Sequence, residues 1–245
     1  MPLKSARALV LFSDLIQEQD KRVILLTSSG TILKAIAPGA ARNRNRFGSV
    51  LELFSEGEFH YYWKEEKELV TLSRGELKKS HFHLIANSSA IFYLHLMAEI
   101  IQWFLPEHHY DERLYKMTLA VLAAAESGTA WTDLLPYFLC WVLRIEGLLF
   151  QAGTCTNCLE SLSDRAWVRR DFRGLLCVKC HQNEPDQLHH DQLQYITWTR
   201  SHPPKGVFSW PAADLRDRLT RLLIRKIETH GERSLKCSLY LPEFH

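Results

Sequence analysis

The chain of 245 residues lacks any long hydrophobic run. Its longest apolar stretch, Leu134 to Leu143, is interrupted by Pro136 and bounded by Asp133 and Arg144. That is about half of the ~20 residues a helix needs to cross a bilayer, so no membrane association is expected. The chain also lacks G-x-x-x-x-G-K, H-E-x-x-H and G-x-S-x-G. The templates for nucleotide hydrolysis, zinc proteolysis and serine hydrolysis are therefore missing. Histidines are scattered, and the pairs His108-His109 and His189-His190 carry no ligand spacing. No enzyme is expected. A large charge excess is missing too: 30 Lys and Arg stand against 28 Asp and Glu. Global charge does not mark a nucleic-acid binder, so local clustering has to be examined. Only Lys4 and Arg7 precede the first apolar stretch, and no small-residue cleavage site follows it. That pattern predicts no export signal and a cytoplasmic location, where thiols stay reduced.

Against these absences stand four cysteines, Cys155, Cys158, Cys177 and Cys180, in the pattern C-x2-C-x18-C-x2-C. A Cys-x-x-Cys pair lets two thiolates grip one ion from a tight turn. Two such pairs at this separation complete a tetrahedral shell and predict one structural zinc. Four thiolates leave no open position, so the site is expected to hold structure and not to perform metal catalysis. Two disulfides or a dithiol redox pair are the alternatives. The first does not suit a long cytosolic chain, and the second needs a βαβ context that is not found. His181 directly follows Cys180 and is a substitute ligand that a complete quartet makes superfluous. Cys140 and Cys237 read as packing residues or spare thiols.

The chain has three kinds of segment. Residues 1–80 read as strands at Ala6 to Phe12, Arg22 to Thr27, Thr31 to Ala37, Val50 to Trp63 and Glu68 to Arg74. The fourth is read as Val50 to Phe54 and Glu58 to Trp63, with Ser55-Glu56-Gly57 as a kink or bulge between them. Glu65, Glu66 and Lys67 turn the chain into the last. Five short strands are economically closed into a barrel, because closure removes exposed edges. An OB-fold is expected, and an SH3-like barrel would give a similar string.

Residues 81–150 read as the first part of a helical domain. One helix carries Ile91, Leu94, Ala98, Ile101 and Leu105 and stops at Pro106. A second spans about Asp111 to Ser127. A third, capped by Thr132 and Asp133, is apolar nearly all round and is expected at the centre of a bundle. Residues 151–200 hold the four-cysteine module and a polar stretch, Gln182 to Gln194. Residues 201–245 hold the closing helix, about Ala212 to His230, and the tail of the helical domain. The expected class is α+β multidomain, an N-terminal five-stranded OB-fold barrel before an α-helical bundle with an inserted four-cysteine zinc finger.

Three basic clusters stand out. Between Lys34 and Glu52 there is no acid, and the loop there carries Arg42, Arg44 and Arg46 with Asn43, Asn45 and Phe47. Arginine forks match phosphate geometry, and Phe47 offers a ring for stacking. A solvated loop is the bland alternative. Within the zinc module lie Arg165, Arg169, Arg170, Arg173 and Lys179, interleaved with Trp167 and Phe172, which would also fit base stacking. A tetrathiolate zinc is formally −2, so these cations also have a reason unrelated to nucleic acid. On the last helix Arg218, Arg221 and Arg225 share a face, joined by Arg216 and Lys226. Asp214 and Asp217 stand four residues before Arg218 and Arg221, which equally fits a salt-bridged solvated face. The DNA-binding candidates are Lys34, Arg42, Arg44, Arg46, Arg169, Arg170, Arg173, Arg221 and Arg225.

The order of parts resembles the RecO family. Gly39-Ala40-Ala41-Arg42, then Arg46-Phe47-Gly48 and Leu51 to Phe54, are similar to that family's Gly-Ala-Arg-Arg and Ser-Arg-Phe-Gly stretch. Leu143 to Cys158 is similar to its bundle-to-zinc junction, and Ile224 to Leu241 to its terminal segment. The chain departs at Pro38 and Arg44-Asn45, where many members carry lysines and a serine, and the zinc cysteines are not universal in the family. The resemblance implies a recombination mediator that binds single- and double-stranded DNA, anneals complementary strands and helps load RecA. The implied partners are RecR and the acidic C-terminal tail of the single-stranded DNA-binding protein. A zinc-stabilised interaction adaptor without DNA contact is the alternative.

Overall fold

The computed structural model describes residues 2–240 except 17, 43–45, 64–67, 87, 89, 105–109 and 207. The backbone forms two compact units, Met1–Leu119 with Leu235–Tyr240, and Ala120–Ser234.

Five strands open the first unit: β1 (Leu3–Leu15), β2 (Lys21–Thr27), β3 (Ile32–Ala37), β4 (Glu56–Tyr62) and β5 (Leu69–Lys79). They pair in the order β1-β2-β3-β5-β4, and β4 returns to β1, which closes the barrel. The β3–β5 pair is parallel and the rest are antiparallel. Closure depends on the 13 residues of β1, long enough to serve two neighbours. Leu3 to Leu9 pair with β4, Ala8 to Leu15 pair with β2, and the register shifts between Val10 and Phe12. Alternate residues point inward: Ala8 and Val10, Val23 and Leu25, Ala35 and Ala37, Val70 and Leu72. Small alanines beside the large Phe59 suit an interior only one side chain wide.

Val50 to Phe54 is not a strand. It is a series of turns, closed by N–H bonds from Val50 to the Phe47 carbonyl and from Ser55 to that of Glu52. Val50 and Leu51 belong to the barrel core all the same, and Phe54 is fully buried. Gly57 and Gly75 leave room for it. A Cβ on either would lie 2.5 and 2.6 Å from the methyls of Val50. The expected irregularity at Glu56 and Gly57 is present as a register shift against β5, but β4 starts at it. The turn expected at Glu65 to Lys67 lies outside the described residues.

The first unit continues with α1 (Phe82–Ile85), α2 (Ala90–Phe104) and the start of α3 (Glu112–Glu126). Gln102 on α2 donates to the Leu11 carbonyl in β1 at 3.3 Å. The Glu99 carboxylate accepts the N–H groups of Lys236 and Cys237, both at 2.9 Å, and so caps a 3-10 turn at Cys237–Tyr240. Leu105, the stop at Pro106 and the pair His108-His109 lie outside the described residues.

The second unit contains α4 (Trp131–Ile145), a three-stranded sheet, α5 (His190–Trp198) and α6 (Ala213–Gly231). The sheet has β6 (Arg165–Val168) between β7 (Leu175–Leu176) and β8 (Gln187–His189). As its all-round apolar pattern implies, α4 is buried along Leu134, Leu135, Phe138, Leu139 and Leu143. It packs on α6 through the stripe of Leu219, Leu222, Leu223 and Ile227. Thr132 and Asp133 do not cap α4. Ala130 stands at the cap position, and Asp133 inside the first turn pairs with Arg216 at 3.1 Å. Among the described residues, no helix is long and apolar enough to cross a membrane.

Candidate metal centre and nucleic-acid interface

Two similar turns build the cysteine site. Leu159 N–H bonds the Cys155 carbonyl and His181 N–H bonds that of Cys177, both at 3.0 Å. Each Cys-x-x-Cys is thereby folded over its own first carbonyl. Leu159 sits at φ 64, the left-handed conformation that sends the chain out of the first turn. Thr156 N–H ties that turn to the Leu175 carbonyl in β7 at 2.8 Å, which holds the two turns face to face. The result places all four Sγ atoms within 4.8 Å of one another, with Cys158 and Cys177 at 3.6 Å. A tetrahedron with Zn–S of about 2.3 Å has edges of about 3.8 Å, so the donor set fits zinc in spacing and softness.

The electrostatics of the quartet point the same way. Burial opposes ionisation of Cys155, but N–H groups of Cys158, Cys177 and Asn157 aimed at its sulfur prevail, and its thiol is lowered to about 6. At Cys158 the N–H of Glu160 favours the thiolate. Burial and the neighbouring thiols outweigh it, pushing Cys158 up to about 12. Four sulfurs this close do not all ionise without a cation among them. Asn157 Nδ2 adds a donor to Cys180 Sγ at 3.3 Å. His181 does not join the quartet. Its ring stacks on Trp167 at 3.9 Å and 4°, which covers one face of the indole that the sequence offered to bases. Cys140 is fully buried, and its thiol is pushed up to about 12 by that burial.

Several of the basic residues are bonded to acids and others to neutral groups. On the β3–β4 connection Arg42 and Arg46 are exposed. Arg42 Nε donates to the Gln19 side chain, and Arg46 lies 5.6 Å from the Phe47 ring. Arg44, with Asn43 and Asn45, lies outside the described residues. Lys34 is half-buried on β3, opposite Ile24 and Leu69. Phe47 is not available for stacking. It is 3% exposed and belongs to the barrel core beside Val50.

In the second unit Arg169 forks onto Asp171 at 3.0 and 3.2 Å. Arg170 reaches the Asn183 carbonyl at 2.8 Å, and Arg173 is exposed. Lys179 pairs with Glu160, and Arg225 with Asp186 at 2.5 Å. On α6 Arg218 takes Asp214 as expected, and Arg221 is exposed. Asp217 turns to Arg216 instead of Arg221. Lys226 leaves the basic face altogether: it is 5% exposed, because its position falls on the apolar stripe between Leu223 and Ile227.

Two features have no sequence signal. Glu56, 4% exposed, accepts Arg7 Nε and Tyr115 Oη, both at 2.6 Å. Lys226 lines a cleft of about 650 Å³ with residues from three separate segments.

Comparison with known proteins is consistent over nearly the whole length. Residues 1–81 match the family described as Recombination protein O N terminal, and residues 86–238 match Recombination protein O C terminal. A DNA repair protein RecO of Koribacter versatilis is 29% identical over 235 residues, covering 95% of this chain and 96% of that protein. Another from Symbiobacterium thermophilum is 30% identical over 168 residues, covering 67% and 66%. A third, from Caldanaerobacter subterraneus, is 26% identical with 96% of both chains covered. A two-part chain with an N-terminal five-stranded sheet, C-terminal helices and a four-cysteine group, matched end to end in this way, belongs to the RecO family of DNA repair and recombination proteins.

Proposed function

We propose that the protein is a recombination mediator that binds single- and double-stranded DNA through phosphate contacts, anneals complementary strands and assists RecA loading. The observation that carries this reading is the β3–β4 connection. It presents Arg42 and Arg46 to solvent from a closed barrel, in a stretch with no acid between Lys34 and Glu52. The barrel's order, β1-β2-β3-β5-β4 with β3 and β5 parallel, supports reading it as an OB-fold, a common nucleic-acid platform. Lys34, Arg44, Arg170, Arg173 and Arg221 extend the proposed contact set. Arg169 and Arg225 join it by exchanging a carboxylate for a phosphate. Screening of two phosphate backbones lets complementary strands approach and pair. No nucleotide is consumed, in keeping with an absent phosphate loop, and no enzymatic step is proposed.

Cys155, Cys158, Cys177 and Cys180 are proposed to hold one zinc. The metal closes the two turns against each other and leaves no position for substrate. The proposed partners are RecR and the C-terminal tail of the single-stranded DNA-binding protein, and the proposed location is cytoplasmic, at the nucleoid. The domain limits read from the sequence, at residues 80, 150 and 200, are retained as a functional division into barrel, first helical part, zinc module and closing helix.

A salt-titrated binding assay with single-stranded DNA tests the reading. Affinity is expected to fall with a log–log slope of about −0.7 per phosphate contact. Exchange of Arg42, Arg44 and Arg46 together for Gln is expected to flatten the slope by about two units. Absence of binding at low salt would overturn the DNA reading and leave the interaction adaptor.

A further inference from the structure

Among the described residues, Lys226 is a buried ammonium group with no ion pair to a carboxylate. It stands on α6 among apolar neighbours, 5% exposed. Its Nζ donates to the Phe172 carbonyl and lies 4.4 Å from the centroid of the Phe150 ring. Buried lysines are rare unless paired. The nearest acid in the cleft is Asp171, whose carboxylate is engaged by both arms of Arg169 and by the N–H of Arg173. One carbonyl uses one of the three ammonium hydrogens. A carbonyl dipole and a ring face soften the burial of charge but do not neutralise it. Burial lowers Lys226 to about 8, with Asp171 opposing that shift, so the group still carries its proton at neutral pH.

The surroundings are built around this cation. Phe172 sits at φ 56, a left-handed conformation that non-glycine residues adopt at some cost, and its carbonyl is the one that meets Nζ. Arg173, the next residue, is exposed and lines the same cleft, as do Thr229 and His230. The volume of about 650 Å³ lies within the range of small-ligand sites.

We propose that this cleft is a phosphate-binding site, with Lys226 as its inner cation and Arg173 as its outer one. The charge count favours phosphate over carboxylate. Among the described residues, Lys226 and Arg173 face the cleft, and the acid that lines it, Asp171, is already engaged by Arg169. A terminal phosphate brings about −1.5 to −2 at neutral pH and three acceptor oxygens. A peptide carboxylate brings one charge and leaves the second cation uncompensated. Guanidinium and ammonium groups together are a recurrent phosphate grip. A backbone phosphodiester brings one charge, as a carboxylate does, so the same count favours the terminal phosphate at the end of a DNA strand over the continuous backbone. The site is separate from the barrel loop, so either can fail without the other.

Calorimetric titration of the full chain distinguishes these cases. Inorganic phosphate at fixed ionic strength is expected to bind saturably at one site per chain. Lys226→Met, which keeps the stem and removes the charge, is expected to lower that affinity at least tenfold. Arg173→Gln, at an exposed position, is expected to lower it about fivefold and serves if the buried variant does not fold. A short oligothymidylate with a 5′-phosphate is then compared with its 5′-hydroxyl counterpart. Tighter binding of the former, lost in Lys226→Met, identifies strand ends as the source. Equal binding of the two strands would show that no terminal phosphate is required and would overturn the charge argument. Absence of saturable phosphate binding, or binding that neither variant weakens, overturns it. So does Lys226-dependent binding of an acidic peptide by a chain that ignores phosphate.

Discussion

Replacing Tyr115 by Phe removes one oxygen, yet it should destabilise the protein measurably, and in a pH-dependent manner. Tyr115 Oη donates to Glu56 at 2.6 Å, and Glu56 is 4% exposed. Hydrogen bonds to charged groups contribute about 1.5–3 kcal/mol, and the carboxylate left behind has little access to water, so a cost of about 2 kcal/mol is expected at pH 7. For a chain of this length that corresponds to about 4–8 °C in Tm. The other donor, Arg7, has a side chain 55% exposed and can resolvate, so Glu56→Gln should lose less on that side. The two substitutions act on the same bond, since glutamine keeps an acceptor oxygen but loses the charge, and the double variant should fall short of the sum by about 1–2 kcal/mol. Burial alone would raise the Glu56 carboxyl, but Arg7 and Tyr115 outweigh it and hold it below its ordinary value. A group lowered in the folded state contributes stability above its unfolded pKa of about 4.3. That contribution is lost as pH falls through the lower, folded value. The cost of Tyr115→Phe should therefore shrink on acidification below about pH 4. Urea unfolding of the wild type, both single variants and the double variant at pH 7, 5 and 3.5 measures all of this. Strictly additive single costs, or a Tyr115→Phe cost unchanged between pH 7 and 3.5, would refute the network.

Two further outcomes are expected. Gly75→Ala would bring a methyl to 2.6 Å from Val50 and should cost about 1–3 kcal/mol by overpacking; adding Val50→Ala should recover most of it in thermal unfolding, and an unrescued loss would count against the wedge. Cys155→Ser should abolish the one zinc per chain expected by elemental analysis and expose residues 155–180 to protease while the barrel stays folded, because the zinc binding energy of about 10–16 kcal/mol seen in finger peptides is here spent within one module; unchanged metal content and unchanged cleavage would contradict it.

What the sequence makes legible is what depends on neighbours close in the chain. The β-rich runs at Ala6 to Phe12 and Arg22 to Thr27 report two barrel strands directly, but not their inward face, since Leu9 and Ile24 are as apolar as the inward Ala8, Val10, Val23 and Leu25. The four-cysteine site is legible because each half is a local turn, closed by the same carbonyl-to-fourth-N–H bond. Val50 to Phe54 misleads because an apolar run reports burial and not extension; here the run enters the core as a turn, admitted by glycines on β4 and β5. Helix α5 is hidden for the opposite reason. Only Leu193, Tyr195 and Ile196 give it an apolar side, and its start is held by Gln192 accepting the His189 N–H at 2.8 Å.

Charge is where a sequence is least legible, since its meaning depends on a partner that is often distant. Arg225 and Asp186 are 39 residues apart, Arg216 and Asp133 are 83 apart, and Arg7 meets Glu56 across 49. A list of arginines ranks them all alike; their contacts do not. A guanidinium forked onto a carboxylate, as Arg169 is, has to give up that bond before it meets a phosphate, and the exchange returns little net energy. One bonded to a carbonyl, as Arg170 is to Asn183, keeps its charge uncompensated and gains nearly the whole of a new ion pair. The salt dependence of DNA binding should follow that distinction. Neutralising Arg46, Arg170 or Arg173 should each lower the slope by nearly one full phosphate contact, whereas Arg169 should lower it by much less, since Asp171 already holds its charge. Equal slope changes at Arg169 and Arg170 would mean that the ion pairs open freely on binding, and that residue type, not context, sets the interface.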